Sequence, residues 1–399
     1  MAVTETTTES WSSRVGGAMK GVLLGVGMFI AGFPVLFWNE GNTVKTRKAL
    51  EEGEGACVSV QSNAKVDPEN EGKFVHMTGK ADTKDVLVDE AFGISTTAIR
   101  LVREVEMYQW KEEKQVKKEK NVGGSETTTT TYTYKMVWNS SAIDSSVFKE
   151  AGHDNPPMEF TEQKKFAQNV TFGAFRLNES QIASIGGMQP YMIPTNTVCP
   201  VPRTLVRGNV IYVPNTETRN NPNNTRDVVA MPRLGDVRVT YTYVVPHDIS
   251  VIAKQKGDTF VAYTAKNGKK LQMLSDGIKE AAEMFADAHE ANTIMCWLIR
   301  LGGFLLMFFG LQKVFKPFAV LGDVLPVLGN IVGMGTSIVS FFIALPCALV
   351  TIAIAWLFYR PVLGIALLVA AGASVYLFLK KKKAAAAKAK AETQGSVQA

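Results

Sequence analysis

Glu104 and Glu106 lie two positions apart in Ile99–Trp110, a run rich in β-branched and aromatic residues. In a strand this spacing puts both carboxylates on one face, an arrangement that can do acid–base work. Arg103 and Lys111 stand nearby, and the neighbours favour a solvated, charge-balanced strand face. Asp144-Ser145-Ser146 sets a hydroxyl beside a carboxylate but lacks the GxSxG turn that presents a nucleophile. His76, His153, His247 and His289 are scattered without HExxH or other ligand spacing. Cys57, Cys199, Cys296 and Cys347 form no CxxC, and the glycines in the apolar runs form no phosphate loop. These residues predict no catalytic group, no cofactor, no metal site and no enzyme.

The elements around them are of two kinds. Residues 17–38, 294–315, 331–358 and 361–379 are long apolar runs, and about 20 such residues cross a bilayer as a helix. A polar stretch of 39–293 separates the first run from the second. The layout predicts one span, a large domain, then three spans. A tail of 1–16, a connection of 316–330 and a basic tail of 380–399 complete it. The first run ends in Phe37-Trp38-Asn39-Glu40 without a small-x-small cleavage site, so it reads as a retained anchor with an aromatic at the interface.

The formal charge of +6 over 399 residues is carried largely by the C-terminal tail, with Lys380, Lys381, Lys382, Lys383, Lys388 and Lys390. Basic flanks mark the cytoplasmic side. Together with Lys313 and Lys316 they predict cytoplasmic tails and an extracytoplasmic or lumenal domain; Lys45, Arg47 and Lys48 argue the other way. The charge suggests orientation and membrane lipids as partners, not nucleic acid. Cys57 and Cys199 could pair if the domain faces an oxidising space. Sequons at Asn139, Asn169, Asn178 and Asn223 could be glycosylated in a eukaryotic lumen.

Inside the domain, Lys73–Thr78, Ile99–Trp110, Thr127–Trp138, Val170–Leu177, Val210–Val213, Val237–Val245, Ser250–Ala253 and Thr259–Thr264 read as strands. Gly123-Gly124 suggests a hairpin between the second and third. Leu271, Leu274, Ile278 and Phe285 recur at helical spacing and predict an amphipathic helix leading into the second span.

Gly17, Gly21 and Gly25 form a GxxxGxxxG series in the first span, and Gly329 and Gly333 repeat the spacing at the start of the third, the pattern of close helix packing and self-association. Pro346 interrupts that run and suggests a kink. Arg300 lies about two turns inside the second run, where a charge costs roughly 2.5–3.5 kcal/mol on insertion scales. Snorkelling or a structural ion pair explains it more simply than a polar path. The spans hold no obvious acidic partner, and Arg300→Lys would be tolerated if snorkelling dominates.

Several strings resemble the transmembrane protein 43 family, also called LUMA, over almost the whole chain. They include Asn39-Glu40-Gly41, Pro68-Glu69-Asn70-Glu71-Gly72, and Val105-Glu106-Met107-Tyr108-Gln109-Trp110. Trp138, Phe148, Gly152-His153, Asn155-Pro156, Gly235-Asp236 and Trp356-Leu357-Phe358-Tyr359-Arg360-Pro361 follow in order. The resemblance implies a four-span protein. In animals the family occupies the endoplasmic reticulum and inner nuclear membrane and is linked to nuclear-envelope organisation with emerin and lamins. Bacterial relatives exist, and the short N-terminus and Ala/Lys tail depart from the animal pattern towards a bacterial plasma-membrane member.

The combined expectation is a multi-pass α-helical membrane protein with a mainly antiparallel β (α+β) extracytoplasmic domain. It would act as an oligomeric scaffold for other membrane proteins. An ion channel or transporter subunit with Arg300 near its path is the alternative.

Overall fold

The computed structural model describes residues 2–221, 223 and 226–360, with backbone alone for 326–329. The span expected at 361–379 and the tail at 380–399 lie outside the described residues, as do two residues of the sequon at Asn223. The chain divides into a β unit and a helical unit. The first comprises residues 2–9, Ala49–Lys120 and Glu126–His289; the second comprises Ser10–Lys48, Asn121–Ser125 and Glu290 onward.

Six strands of the β unit have eight or more residues: β1 (Ala2–Glu9), β2 (Phe74–Thr83), β3 (Arg100–Lys120), β4 (Glu126–Asn139), β5 (Val237–Val244) and β6 (His247–Lys256). One sheet has the order β1, β4, β3, β5, then Val210–Val213 and Leu205–Arg207. The expected hairpin is present but longer, since β3 and β4 stay paired from Met107↔Asn139 to Lys120↔Glu126. The charged segment expected to connect them is itself strand. A second sheet closes on itself. From β6 the pairings run through Thr259–Val261, Phe175–Arg176 and Val170–Phe172 to β2, and β2 pairs back to β6. Met273–Asp276 and Cys57–Ser59 add to stretches of β6 and β2 that the ring leaves open. Val75, Met77, Phe172, Phe175, Val251 and Phe260 belong to its buried apolar core.

Period-two alternation decides the fate of the acidic pair. Leu101, Arg103, Val105 and Met107 are buried, whereas Glu104 is exposed and Glu106 half-buried. Arg103 therefore points away from the two glutamates, contrary to the expected charged face. Its guanidinium bonds both oxygens of buried Asp89 at 2.8 and 2.9 Å, and Tyr241 donates to Asp89 at 2.8 Å. Burial, then Asp89, pushes the Tyr241 hydroxyl pKa well up. Glu106 instead pairs with Arg238, its register partner on β5.

The expected amphipathic helix is a strand followed by a later helix. Met273–Asp276 pairs with β6, Gly277 turns at φ +78°, and helix starts only at Ala281. Leu271 and Leu274 fit both periodicities over so short a stretch, and the unpaired edge of β6 selects strand. Phe285, in the true helix, is buried with Ala49, Leu50, Phe74 and Ile252.

Cys57 and Cys199 are free thiols. Burial pushes the Cys57 thiol up to about 11, which keeps it unreactive at neutral pH.

The β1–β4 pairing runs from Ala2↔Thr133 to Glu9↔Glu126. It gives residues 2–9, expected simply as a tail, a regular partner in the β unit.

Among the described residues three helices are long and apolar enough to cross a membrane: α1 (Trp11–Ala56), α2 (Ala281–Gly322) and, from Asn330, α3 (Pro326–Tyr359). α1 and α2 extend well beyond their apolar runs, and Pro34 and Pro346 lie inside α1 and α3.

Candidate functional site

The helical unit has glycine where α1 meets α2. A Cβ at Gly25 would stand 2.6 Å from the Gly310 carbonyl, and one at Gly310 would stand 2.7 Å from both the Gly25 carbonyl and the Phe29 nitrogen. Gly32 faces Met307, and Gly303 faces Leu36. Leu36 and Met307 are fully buried in the seam with Leu311, Ala344 and Ala348. The contact therefore recurs every seven residues, at 25 and 32 against 310 and 303, where bare backbone lets the axes approach. Of the expected glycines whose surroundings are described, Gly25 alone makes this close contact. Gly17 and Gly21 have nothing within 4 Å, and Gly333 has only Ala319 at 3.9 Å. Gly329 is helical, but its surroundings are not described.

Beyond this seam lies a buried charge cluster. Glu40 follows the apolar run of α1, and Arg300 lies in α2. Arg300 Nε bonds Glu40 Oε1 at 2.6 Å, and Nη2 bonds Oε2 at 2.9 Å. This two-point fork is geometry that arginine makes and lysine cannot. The Glu40 side chain is fully buried, and that of Arg300 is 12% exposed. Trp356 of α3 donates its indole N–H to Glu40 Oε2 at 2.8 Å. The guanidinium lies 4.6 Å from the Trp297 ring centroid and 5.7 Å from that of Trp356. One carboxylate thus joins three helices, while two indoles shield the cation.

The neighbouring residues frame the pair. Asn39 Nδ2 donates to the Cys296 carbonyl at 3.1 Å, and the Cys296 thiol lies 3.9 Å from Glu40. Asn292 donates to the Thr43 carbonyl at 3.2 Å. A Cβ at Gly41 would meet the Tyr359 ring at 2.5 Å, so only glycine lets that ring seat there. Arg360 sits over Trp356 at 5.6 Å. At the opposite end of α1, Arg14 pairs with Asp323 at 2.5 Å, and Trp11 donates to the Val320 carbonyl at 2.9 Å.

Two strings widely separated in the chain, Asn39-Glu40-Gly41 and Trp356–Arg360, therefore meet around Arg300; Pro361 lies outside the described residues. Of the two expectations for Arg300, snorkelling or a structural ion pair, the structure has the ion pair, with a partner just outside the 17–38 run. Glu40 was hidden because it stands just outside an apolar run, where a carboxylate reads as an interface residue. The available signal was antiparallel order: the end of one helix hairpin arm lies level with the start of the next.

The string Glu106–Trp110 does local structural work in the β unit. Met107 is core. Gln109 is fully buried and bonds the Ser141 carbonyl and the Ile143 nitrogen, both at 2.8 Å. Trp110 exchanges backbone bonds with the Asn155 amide at 2.7 and 2.9 Å. Tyr108 packs on Trp138 at 5.1 Å, and His153 stacks on Tyr134 at 4.0 Å. These contacts fasten the 139–155 loop to the hairpin. The same applies to Asp236, which holds Arg226 at 2.7 and 2.8 Å and accepts from the Asn215 and Arg233 nitrogens. Asp144 caps its turn by accepting from the Ser146 nitrogen and hydroxyl. Among the described residues no group of three or more His, Cys, Asp or Glu side chains is placed to hold a metal.

A family profile described as transmembrane protein 43 matches residues 107–361. Transmembrane protein 43 of Rattus norvegicus is 32% identical over 374 residues, covering 90% of this chain and 89% of that protein. The Homo sapiens protein of the same name is 32% identical over 374 residues, covering 91% and 90%. The transmembrane protein 43 homolog of Drosophila melanogaster is 30% identical over 372 residues, covering 89% and 93%. No solved structure matches the chain. With both a family profile over more than half its length and relatives aligned nearly end to end, this integral membrane protein belongs to the transmembrane protein 43 family.

Proposed function

We propose that the protein is a membrane scaffold that gathers other membrane proteins through its β unit and its spans. The observation that carries this reading is a group of apolar side chains left in solvent. Met188 is 49% exposed, Met192 69% and Val198 83%, close together in one segment of the β unit. Methionine-rich exposed surfaces adapt to protein partners. The channel reading has less support, because the Arg300 charge is neutralised by Glu40 and shielded by indoles. Met188→Lys with Met192→Lys should leave thermal unfolding within about 0.5 kcal/mol, as exposed substitutions do. It should reduce the membrane proteins co-purified in mild detergent several-fold. An unchanged set at unchanged yield would refute the scaffold surface.

The same reading puts residues 40–290 on the extracytoplasmic face and both tails in the cytoplasm, supported by the lysine clusters. The β1–β4 pairing asks instead for residues 2–9 on the same face as the β unit. A bilayer across 17–38 and that pairing exclude each other, because the hairpin's Lys- and Glu-rich end would have to cross hydrocarbon. Charges there cost several kcal/mol in sum, more than cross-strand threonine pairs return at about 0.2–1 kcal/mol each. We therefore place residues 1–16 opposite the β unit. Protease added to sealed right-side-out vesicles should cut at 113–126 and spare the C-terminal tail, while Thr4→Cys should resist an impermeant maleimide. Labelling of Thr4→Cys alongside that cleavage would show that the pairing persists and that α1 does not cross.

A further inference from the structure

We infer that the three helices form a binding site for the headgroup of an anionic phospholipid. A hollow of about 520 Å³ lies between α1, α2 and α3. Lys313, Lys316 and Gln312 of α2 line it, with Ser337 of α3 and an apolar wall of Met28 and Phe309. Lys313 and Lys316 are one helical turn apart, so both ammonium groups reach the same hollow. Neither has a carboxylate within 4.0 Å among the described residues, whereas Arg14, Arg300, Arg103 and Arg226 each hold one.

The polar chemistry fits a phosphate ester. The Ser337 hydroxyl donates to the Gly333 carbonyl at 3.1 Å, and Gln312 Nε2 reaches Ser337 Oγ at 3.4 Å. That leaves the ammonium groups and the second amide hydrogen of Gln312 as donors facing the cavity. Its position selects a lipid over a soluble anion. Lys313 and Lys316 flank the end of the 294–315 apolar run, where headgroups lie, and Phe309, 46% exposed, continues the wall towards hydrocarbon for an acyl chain. A zwitterionic headgroup brings its own ammonium, which two unpaired lysines disfavour. Each lysine near the surface contributes to attraction for anionic lipid, and the pair predicts about a tenfold preference.

Native mass spectrometry of the purified full chain in mixed micelles with equal, chain-matched phosphatidylglycerol and phosphatidylcholine tests this. One phosphatidylglycerol should be retained about ten times more often than phosphatidylcholine, and it alone should raise the thermal midpoint. Lys313→Gln with Lys316→Gln should abolish the preference. Gly333→Leu should also abolish it with the charge unchanged, since a Cβ there meets only Ala319 at 3.9 Å and the larger side chain fills the hollow. If the lysine variant does not fold, Gly333→Leu decides alone. Equal retention of the two lipids overturns the inference, as does an undiminished preference in Gly333→Leu. A midpoint shift reproduced by inorganic phosphate would assign the hollow to a soluble anion and overturn it too.

Discussion

Glu40→Gln should lower the unfolding free energy of the detergent-solubilised protein by about 3–5 kcal/mol, the usual cost of stripping one partner from a buried ion pair. Arg300 would keep its charge beside two indoles but lose its counter-charge and one arm of the fork, where the amide NH2 would face other donors. Arg300→Gln should do comparable damage, because it leaves a fully buried carboxylate. The double substitution should cost clearly less than the two single costs added together, since each removes the same interaction. Arg300→Lys separates a lock from simple snorkelling. Lysine keeps the charge but cannot engage both oxygens, so a drop in midpoint is expected where snorkelling alone expects tolerance. Chemical unfolding in micelles reads all four variants. Additive costs together with a tolerated lysine would show that the charge is not locked.

Gly310→Leu should be the most damaging substitution at the α1–α2 seam. Its Cβ would meet α1 backbone at two atoms, the Gly25 carbonyl and the Phe29 nitrogen at 2.7 Å, and backbone cannot step aside as a side-chain tip can. The axes would have to part, loosening Leu36 and Met307 from full burial. Overpacking of this kind costs about 1–3 kcal/mol, and more where neighbours cannot give. Gly25→Leu should behave alike, whereas Gly21→Leu meets nothing within 4 Å and should leave the unfolding midpoint unchanged. Crosslinking of Gly21→Leu then reads a separate matter: lower self-association at unchanged midpoint would assign the open glycines to a second copy. Equal damage from Gly21→Leu and Gly310→Leu would contradict the seam.

Residues near in sequence or regular in period were legible from the chain alone. The apolar runs identified three helices, because a bilayer-length segment declares itself by composition. Alternation and turn glycines announced most strands, including the β3–β4 hairpin. The string Glu106–Trp110 was visible as distinctive, though not as the fastener of a loop that returns near Asn155.

Pairings across long separations were decided only by tertiary structure. Arg300 announced itself by the cost of its charge, yet Glu40 lies 260 positions away, and no local pattern links the two. Arg103 looked like a surface neighbour of Glu104 until strand alternation turned it inward to Asp89. Leu271 and Leu274 matched a helix until β6 offered them an edge. In the same way, Gly25 and Gly21 are alike in type and spacing, and only the path of α2 brings Gly310 against one of them. Local periodicity constrains a residue's face; which group fills the space opposite depends on where a distant segment of chain is packed.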